Sequence, residues 1–267
     1  MQITIINDCS DQNAKLRQIS RVGSLFSNSS VNCFCAESET EAAGLLVDAI
    51  DSFEGRQGII IVNVAPRNGR AKKWHNGTPF GFFRYKETLI LASLDGHVLS
   101  LAKKLNLLED VYIFDIKEVV NSIDDKELNK EEKNRIINTQ FRSFNFLPRV
   151  AYWLSNDISI PYVKYDLSNI DNLGQKVWFI DNFGNIKTTY LYEELTDNKD
   201  NQYEVAFGQT KIKMNLYKHL KDLPDNEIGL VVGSSGIENK RFIEIIAQGK
   251  SASEELSLNC NDKILIG

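Results

Sequence analysis

Gly58-Ile59-Ile60-Ile61-Val62-Asn63-Val64 is a short, nearly uninterrupted apolar run that starts at a glycine and stops beside Ala65-Pro66. A run of this length, rich in β-branched residues and bounded by breakers, reads as a strand buried on both faces. A half-exposed strand would alternate instead. Working back from it, Glu39 to Phe53 sets Ala42, Ala43, Leu45, Leu46, Ala49 and Ile50 at helical spacing. Val31 to Cys35 is a short strand, Lys15 to Phe26 a helix, and Gln2 to Asn7 another buried strand. Asp8-Cys9-Ser10-Asp11 is the strand-to-helix turn, with side chains suited to capping. The resulting β-α-β-α-β order implies a parallel sheet covered by helices, with ligands at the carboxyl ends of the strands.

Working forward, Ala65 to Phe83 reads as one long loop, Thr88 to Ala92 resumes the sheet, His97 to Leu105 is helical and Val111 to Asp115 is a further strand. The charged stretch Asp124 to Asn134 is a solvated helix or connector, and Pro148 opens a helix that runs to Leu154. Residues 155–173, around Pro161, read as a linker. Beyond it the pattern changes. Lys176 to Ile180, Ile186 to Leu191, Tyr203 to Phe207, Thr210 to Met214, Ile228 to Val232 and Arg241 to Ala247 are short strands without convincing helices. The expected fold is an N-terminal α/β domain over residues 1–160, followed by a small all-β, barrel-like domain over residues 174–267.

Net charge is -5 with a pI near 5.4, which leaves no electrostatic footprint for nucleic acid or an anionic membrane surface. No apolar run reaches the ~18 residues of a membrane span, and Met1-Gln2-Ile3-Thr4 lacks the basic start of a signal peptide, so a cytoplasmic location is expected. The four cysteines, Cys9, Cys33, Cys35 and Cys260, form no disulfide framework in a chain of this size. Cys33 and Cys35 fall on one face of a strand, where thiols serve as small apolar groups. His75, His97 and His219 are far apart and not at ligand spacing, so no metal site is expected.

Val177-Trp178-Phe179-Ile180 then empties into Asp181-Asn182-Phe183-Gly184-Asn185. Gly184 suits the positive φ of a sharp reversal, leaving Asp181, Phe183 and Asn185 to present a carboxylate, a ring and an amide. Such a turn is either a plain hairpin or a holder for an ammonium, a base plane and a base edge. A dinucleotide-binding reading of the first domain fails, because Asp8 to Asn13 contains no glycine and carries acid where a pyrophosphate would sit. That acidity suits a cationic ligand.

An α/β domain followed by a small β domain that opens on Ile-Asp-x-Phe-Gly-Asn resembles the S-adenosylmethionine hydroxide adenosyltransferase family, whose superfamily includes fluorinating and chlorinating adenosyl transferases. The resemblance implies attack on the 5' carbon of S-adenosylmethionine by a small nucleophile, release of methionine with adenosine or a 5'-haloadenosine, and no separate cofactor. It also implies a homotrimer with sites shared between neighbouring subunits.

Ile5-Ile6-Asn7-Asp8 is similar to the opening strand of that family, which gives Asp8 the ribose hydroxyls. Asp11 is either a stand-in for a second family Asp near the methionine or a helix cap. Ile61 to Arg70 resembles the segment that carries Asp and then Arg in hydrolytic members, with Asn63 at the Asp position and Arg70 at the Arg position. Gln140-Phe141-Arg142-Ser143 is similar to Thr-Phe-His-Gly of hydrolytic members and Thr-Phe-Tyr-Ser of fluorinating ones. Phe141 is then the aromatic wall, Ser143 matches the halogenating side, and Arg142 replaces the hydrolytic His. Neither Asn63 nor Arg142 can act as a conventional base. Ala92-Ser93-Leu94-Asp95-Gly96 is a further, weaker match.

In the second domain the resemblance puts Asp181 on the methionine ammonium, Phe183 against adenine and Asn185 on the base edge. Gly233-Ser234-Ser235-Gly236 is similar to Asn-Ser-x-Gly, which assigns Ser234 and Ser235 to the methionine carboxylate. Read without the family, that serine pair is a hairpin turn. An insertion is expected at Glu238 to Lys240.

Overall fold

The computed structural model describes residues 1–66, 77–195 and 200–267. These divide into two compact units, Met1–Asp171 and Asn172–Gly267.

The first unit is built on a seven-stranded sheet. Three strands, β1 (Gln2–Asn7), β2 (Ser30–Cys35) and β3 (Gly58–Asn63), alternate with helices α1 (Gln12–Leu25) and α2 (Glu39–Phe53). β4 (Phe80–Tyr85) and β5 (Thr88–Ser93) follow, then α3 (Ser100–Lys104), β6 (Val111–Ile113), α4 (Ile116–Ser122), α5 (Lys130–Ile137), α6 (Arg142–Asn145), α7 (Leu147–Ser155) and β7 (Val163–Tyr165). Strand order is β2-β1-β3-β5-β4-β6-β7. The first four are parallel, as the alternating strand and helix pattern requires.

The other half of the sheet departs from the expected parallel arrangement. β4 pairs antiparallel with β5 through a tight turn at Lys86, which takes φ 53, and a connection this short rules out a crossover. The stretch expected to be loop as far as Phe83 thus ends in a strand, because Phe80, Phe82 and Phe83 bury their rings. Residues 155–173 likewise contain β7, which pairs with β6 and extends the first sheet, so they are not a free linker.

Both faces of the sheet are covered. Ile3, Ile5, Ile59, Ile61, Leu89 and Leu91 share a core with Val22 of α1 and Val150 and Trp153 of α7. Ile6, Ile60, Val62 and Ile90 are equally buried on the alternate positions. Each such side chain contributes roughly 1.5–3 kcal/mol of burial. Helix starts follow the sequence: Asp11 caps α1 by accepting from Ala14 N at 2.9 Å, and Ser38 caps α2 through Glu41 N at 3.2 Å.

The second unit is one curled sheet. Its strands are β8 (Val177–Ile180), β9 (Ile186–Leu191), β10 (Gln202–Phe207), β11 (Thr210–Tyr217), β12 (Ile228–Ile237), β13 (Lys240–Ala247) and β14 (Leu265–Ile266), in the order β14-β10-β11-β12-β13-β9-β8. The two ends approach each other. Lys176 bridges Lys263, and Val177 N donates to Asp262 O at 2.9 Å while Asn261 N donates to Val177 O at 2.9 Å. The sheet therefore curls to satisfy its own edge groups, the barrel-like closure expected of short strands. One element goes beyond the expectation: helix α8 (Ala252–Leu256), capped by Ser251. Among the described residues, no helix is long and apolar enough to cross a membrane.

Candidate functional site

The carboxyl edge of the first sheet gathers three of the expected positions. Asn7 and Asn63 end the adjacent parallel strands β1 and β3 as register partners. Asn63 Nδ2 donates to Asn7 Oδ1 at 3.1 Å, and Asp8 N donates to Asn63 O at 3.2 Å. Asn63 thereby tethers the half-buried Asp8, and a neutral amide pair closes the ends of the two strands. Ser93, at the end of β5, donates to Val64 O, and Asp95 beyond it is buried. Gly96 holds φ 77 against Pro66, whose ring carbon a Cβ would meet at 2.7 Å. Asn7 was not singled out from the sequence; its signal was an amide at the polar end of an apolar strand, paired by register with another.

Asp11 sits outside this group. Its carboxylate is the α1 cap, the second of the two roles open to it. Arg70 lies outside the described residues.

Phe141, Arg142 and Ser143 open the short helix α6, which packs on α1. Phe141 is 60% exposed, so its ring is available to a ligand. Burial lowers the pKa of Arg142 from the usual guanidinium range, and its Nη1 packs on Gly77, where a Cβ would sit 2.7 Å away. The group remains a cation.

In the second unit, the Asp181 turn is a closed hydrogen-bonded device. Asp181 Oδ1 accepts from Phe183 N at 2.8 Å and Asn185 N at 3.0 Å, while Oδ2 accepts from Asn185 Nδ2 at 2.9 Å. The ends close with Asp181 N donating to Asn185 O at 3.1 Å. Gly184 has φ 82, and a Cβ there would lie 2.1 Å from Ser251 Oγ, so the glycine also admits the cap of α8. Phe183 is left 71% exposed. Asn185 keeps its carbonyl oxygen and one amide hydrogen, an acceptor beside a donor, as a planar base edge presents. The carboxylate assigned to an ammonium is thus first the organiser of its own turn.

The two serines separate. Both lie within β12, at the register shift between Val232 and Gly236, and not in a hairpin turn. Ser234 is exposed, and its carbonyl accepts from Arg241 Nη1 at 2.9 Å. Ser235 is buried, and its hydroxyl accepts from Lys187 Nζ at 2.6 Å. Lys187 also stands 3.8 Å from Glu244 Oε1 and 5.4 Å from the centre of Trp178. Register makes Lys187 and Glu244 neighbours across β9 and β13. Neither was expected at the site; each is a charge at a covered position of its strand. The expected insertion at Glu238 to Lys240 is the hairpin turn between β12 and β13, with Glu238 at φ 50.

A helix-covered α/β unit is followed by a self-closing β unit, with polar groups at the carboxyl edge of one sheet and an Asp-anchored turn in the other, a two-domain α/β and β architecture. Residues 175–265 match the family model described as the SAM hydroxide adenosyltransferase C-terminal domain. The second unit is therefore of that type, and the match supports adenosyl transfer from S-adenosylmethionine as the class of chemistry. Two solved structures share the whole fold. An uncharacterized conserved protein from Thermotoga maritima is similar at TM-score 0.70 and 16% identity, over 99% of this chain and 100% of the other. A conserved hypothetical protein from Thermus thermophilus gives 0.62 and 14%, over 100% and 99%. No curated protein matches the chain.

Proposed function

We propose that the protein binds S-adenosylmethionine and hydrolyses it to adenosine and methionine by displacement at the 5' carbon. The observation that carries this reading is the Asp181 turn, matched by the adenosyltransferase domain model and built to hold an exposed ring beside an oriented amide. Phe183 stacks on adenine and Asn185 reads its edge. Asp181 uses its remaining lone-pair directions for the ammonium, Ser234 donates to the carboxylate, and Asp8 accepts from the ribose diol.

A sulfonium is a good leaving group, so the protein's task is orientation and desolvation. The water oxygen bonds to the 5' carbon, the carbon–sulfur bond breaks with its electron pair going to sulfur, and the water's proton leaves to solvent. Asn63 and Ser143 orient the water, Phe141 walls the pocket, and the cations Arg70 and Arg142 favour hydroxide over water. Ser235 acts from beneath, holding the bulge that carries Ser234. The trimer implied by the family belongs to the same reading.

The test is incubation of purified protein with S-adenosylmethionine. Adenosine and methionine formed in equal amounts above a mock preparation support hydrolysis. Ser143, with a cation in place of the hydrolytic His, favours a second nucleophile, halide. Halide-dependent 5'-halo-5'-deoxyadenosine would replace the hydrolytic reading with that one. Binding without turnover would leave an adenosyl-binding protein, and absence of binding would remove all three. Sedimentation of the pure chain tests the trimer.

A further inference from the structure

A net charge of -5 conceals a local excess of cations in the first unit. α1 carries Arg17 and Arg21 one helical turn apart. Their guanidinium carbons lie 4.5 and 4.4 Å from the centre of the Phe144 ring on α6, and Arg17 is also 5.8 Å from the centre of Phe141. Arg149, on α7, is only 8% exposed and donates through Nη1 to Asn145 O at 2.8 Å, one residue beyond Phe144. Arg135, exposed in the last turn of α5, lies near enough for its charge to act on both Arg21 and Arg149.

The four charges feel one another. Burial first, then Arg135 and Arg17, push the Arg21 pKa down. Burial, with Arg21 and Arg135, lowers Arg149 to about 10. Glu132 and Glu127 act on Arg149 in the opposite sense, but the Glu132 carboxylate already accepts from Asn129 N at 3.1 Å in the α5 capping box. Among the described residues, no carboxylate lies within 4.0 Å of any of these four guanidiniums.

Like charges set at one-turn spacing on a helix repel, and a buried guanidinium is costly without a counter-charge. Stacking on Phe144 holds Arg17 and Arg21 in place without neutralising them. Guanidinium forks fixed in this way match the paired oxygens of a tetrahedral oxyanion, and their fixed position lowers the entropy lost on binding. We propose that Arg17, Arg21, Arg135 and Arg149 form a binding site for a phosphate group, either free phosphate or the phosphate of a small phosphorylated molecule. Arg149 forms its floor, and Arg17 and Arg135 its rim. The same short helix presents Phe144 to this cluster and carries Arg142 and Ser143. The inference stands on the arginines alone, independently of the S-adenosylmethionine reading.

The experiment is calorimetric titration of the full chain with inorganic phosphate, and separately with glycerol 3-phosphate, at an ionic strength held constant with sodium chloride. Saturable binding of at least one is expected, and the tighter of the two identifies the source. Arg21→Gln, and the exposed pair Arg17→Gln with Arg135→Gln, are each expected to weaken it about tenfold or more. Thermal unfolding separates a site from mere packing. Arg135→Gln relieves repulsion and leaves the phosphate-free midpoint unchanged or higher, while diminishing the rise that phosphate produces in the parent. Absence of saturable binding, or variants that bind as the parent does, would overturn the proposal.

Discussion

The Asn185 side-chain amide donates to Asp181 Oδ2 at 2.9 Å while its backbone N–H donates to Oδ1 at 3.0 Å, so one carboxylate holds both the amide and the chain that presents it. The orientation of the Asn185 amide and the stability of the turn are therefore one property at this position.

Asp181→Ala is accordingly expected to weaken adenosine as well as S-adenosylmethionine, each by roughly tenfold or more, because hydrogen bonds to a charged group contribute about 1.5–3 kcal/mol apiece. Read from sequence, Asp181 touches only the ammonium, and its loss would spare adenosine. Calorimetric titration of both ligands decides; a loss confined to the methionine-bearing one would show that the turn survives without its carboxylate.

Gly184→Ala is expected to destabilise the second unit by about 2 kcal/mol or more, since positive φ strain is joined by a collision with Ser251. Gly249, at φ 77 with nothing within 4 Å of an added Cβ, isolates the strain. Gly249→Ala should cost only about 1 kcal/mol. Thermal unfolding of the two variants, compared directly, measures the steric part as their difference.

The Lys187 and Glu244 side chains are 15% and 8% exposed. Lys187→Met leaves a buried carboxylate facing Gly233 and the freed Ser235 hydroxyl, and should cost about 3–5 kcal/mol. The double variant Lys187→Met with Glu244→Leu should recover much of that loss. Denaturant unfolding of the two singles and the double forms the cycle, and simple additivity would show that the charges do not interact.

Burial, and then Cys35, push the Cys33 thiol from 9.0 up to about 11. The folded state thus favours the neutral thiol. Its contribution is fully present below pH 9 and is lost as pH rises through that interval, because the unfolded thiol ionises first. At pH 8, alkylation followed by mass spectrometry should label the exposed Cys9 well before Cys33. Equal rates would contradict the shift.

The sequence by itself determined most strands of both units, though not β4, β7 or β14, and the turn at their most distinctive motif. Ile59 to Val62 are apolar on consecutive positions and must be covered on both faces, while Ile186 to Leu191 and Arg241 to Ala247 lie between turn residues that end them. These are short-range properties, legible as spacing. The antiparallel half of the first sheet was not legible, because β4 follows a long polar stretch and β7 lies in an apparent linker, so only pairing distinguishes them from loop.

Of the candidate residues, Asp8, Asn63, Asp181, Phe183 and Asn185 could be named from motifs, but their partners could not. Only the tertiary structure decided that Asn63 pairs with Asn7, that Asp181 binds its own turn, that Ser235 faces inward to Lys187 while Ser234 faces out, and that Arg17 and Arg21 of α1 meet at Phe144 of α6. Each of these depends on strand register or helix packing, which brings together residues far apart in the chain. A hydrogen bond of 3 Å or the field of a neighbouring cation is set by that distance in space, for which spacing along the chain carries no measure.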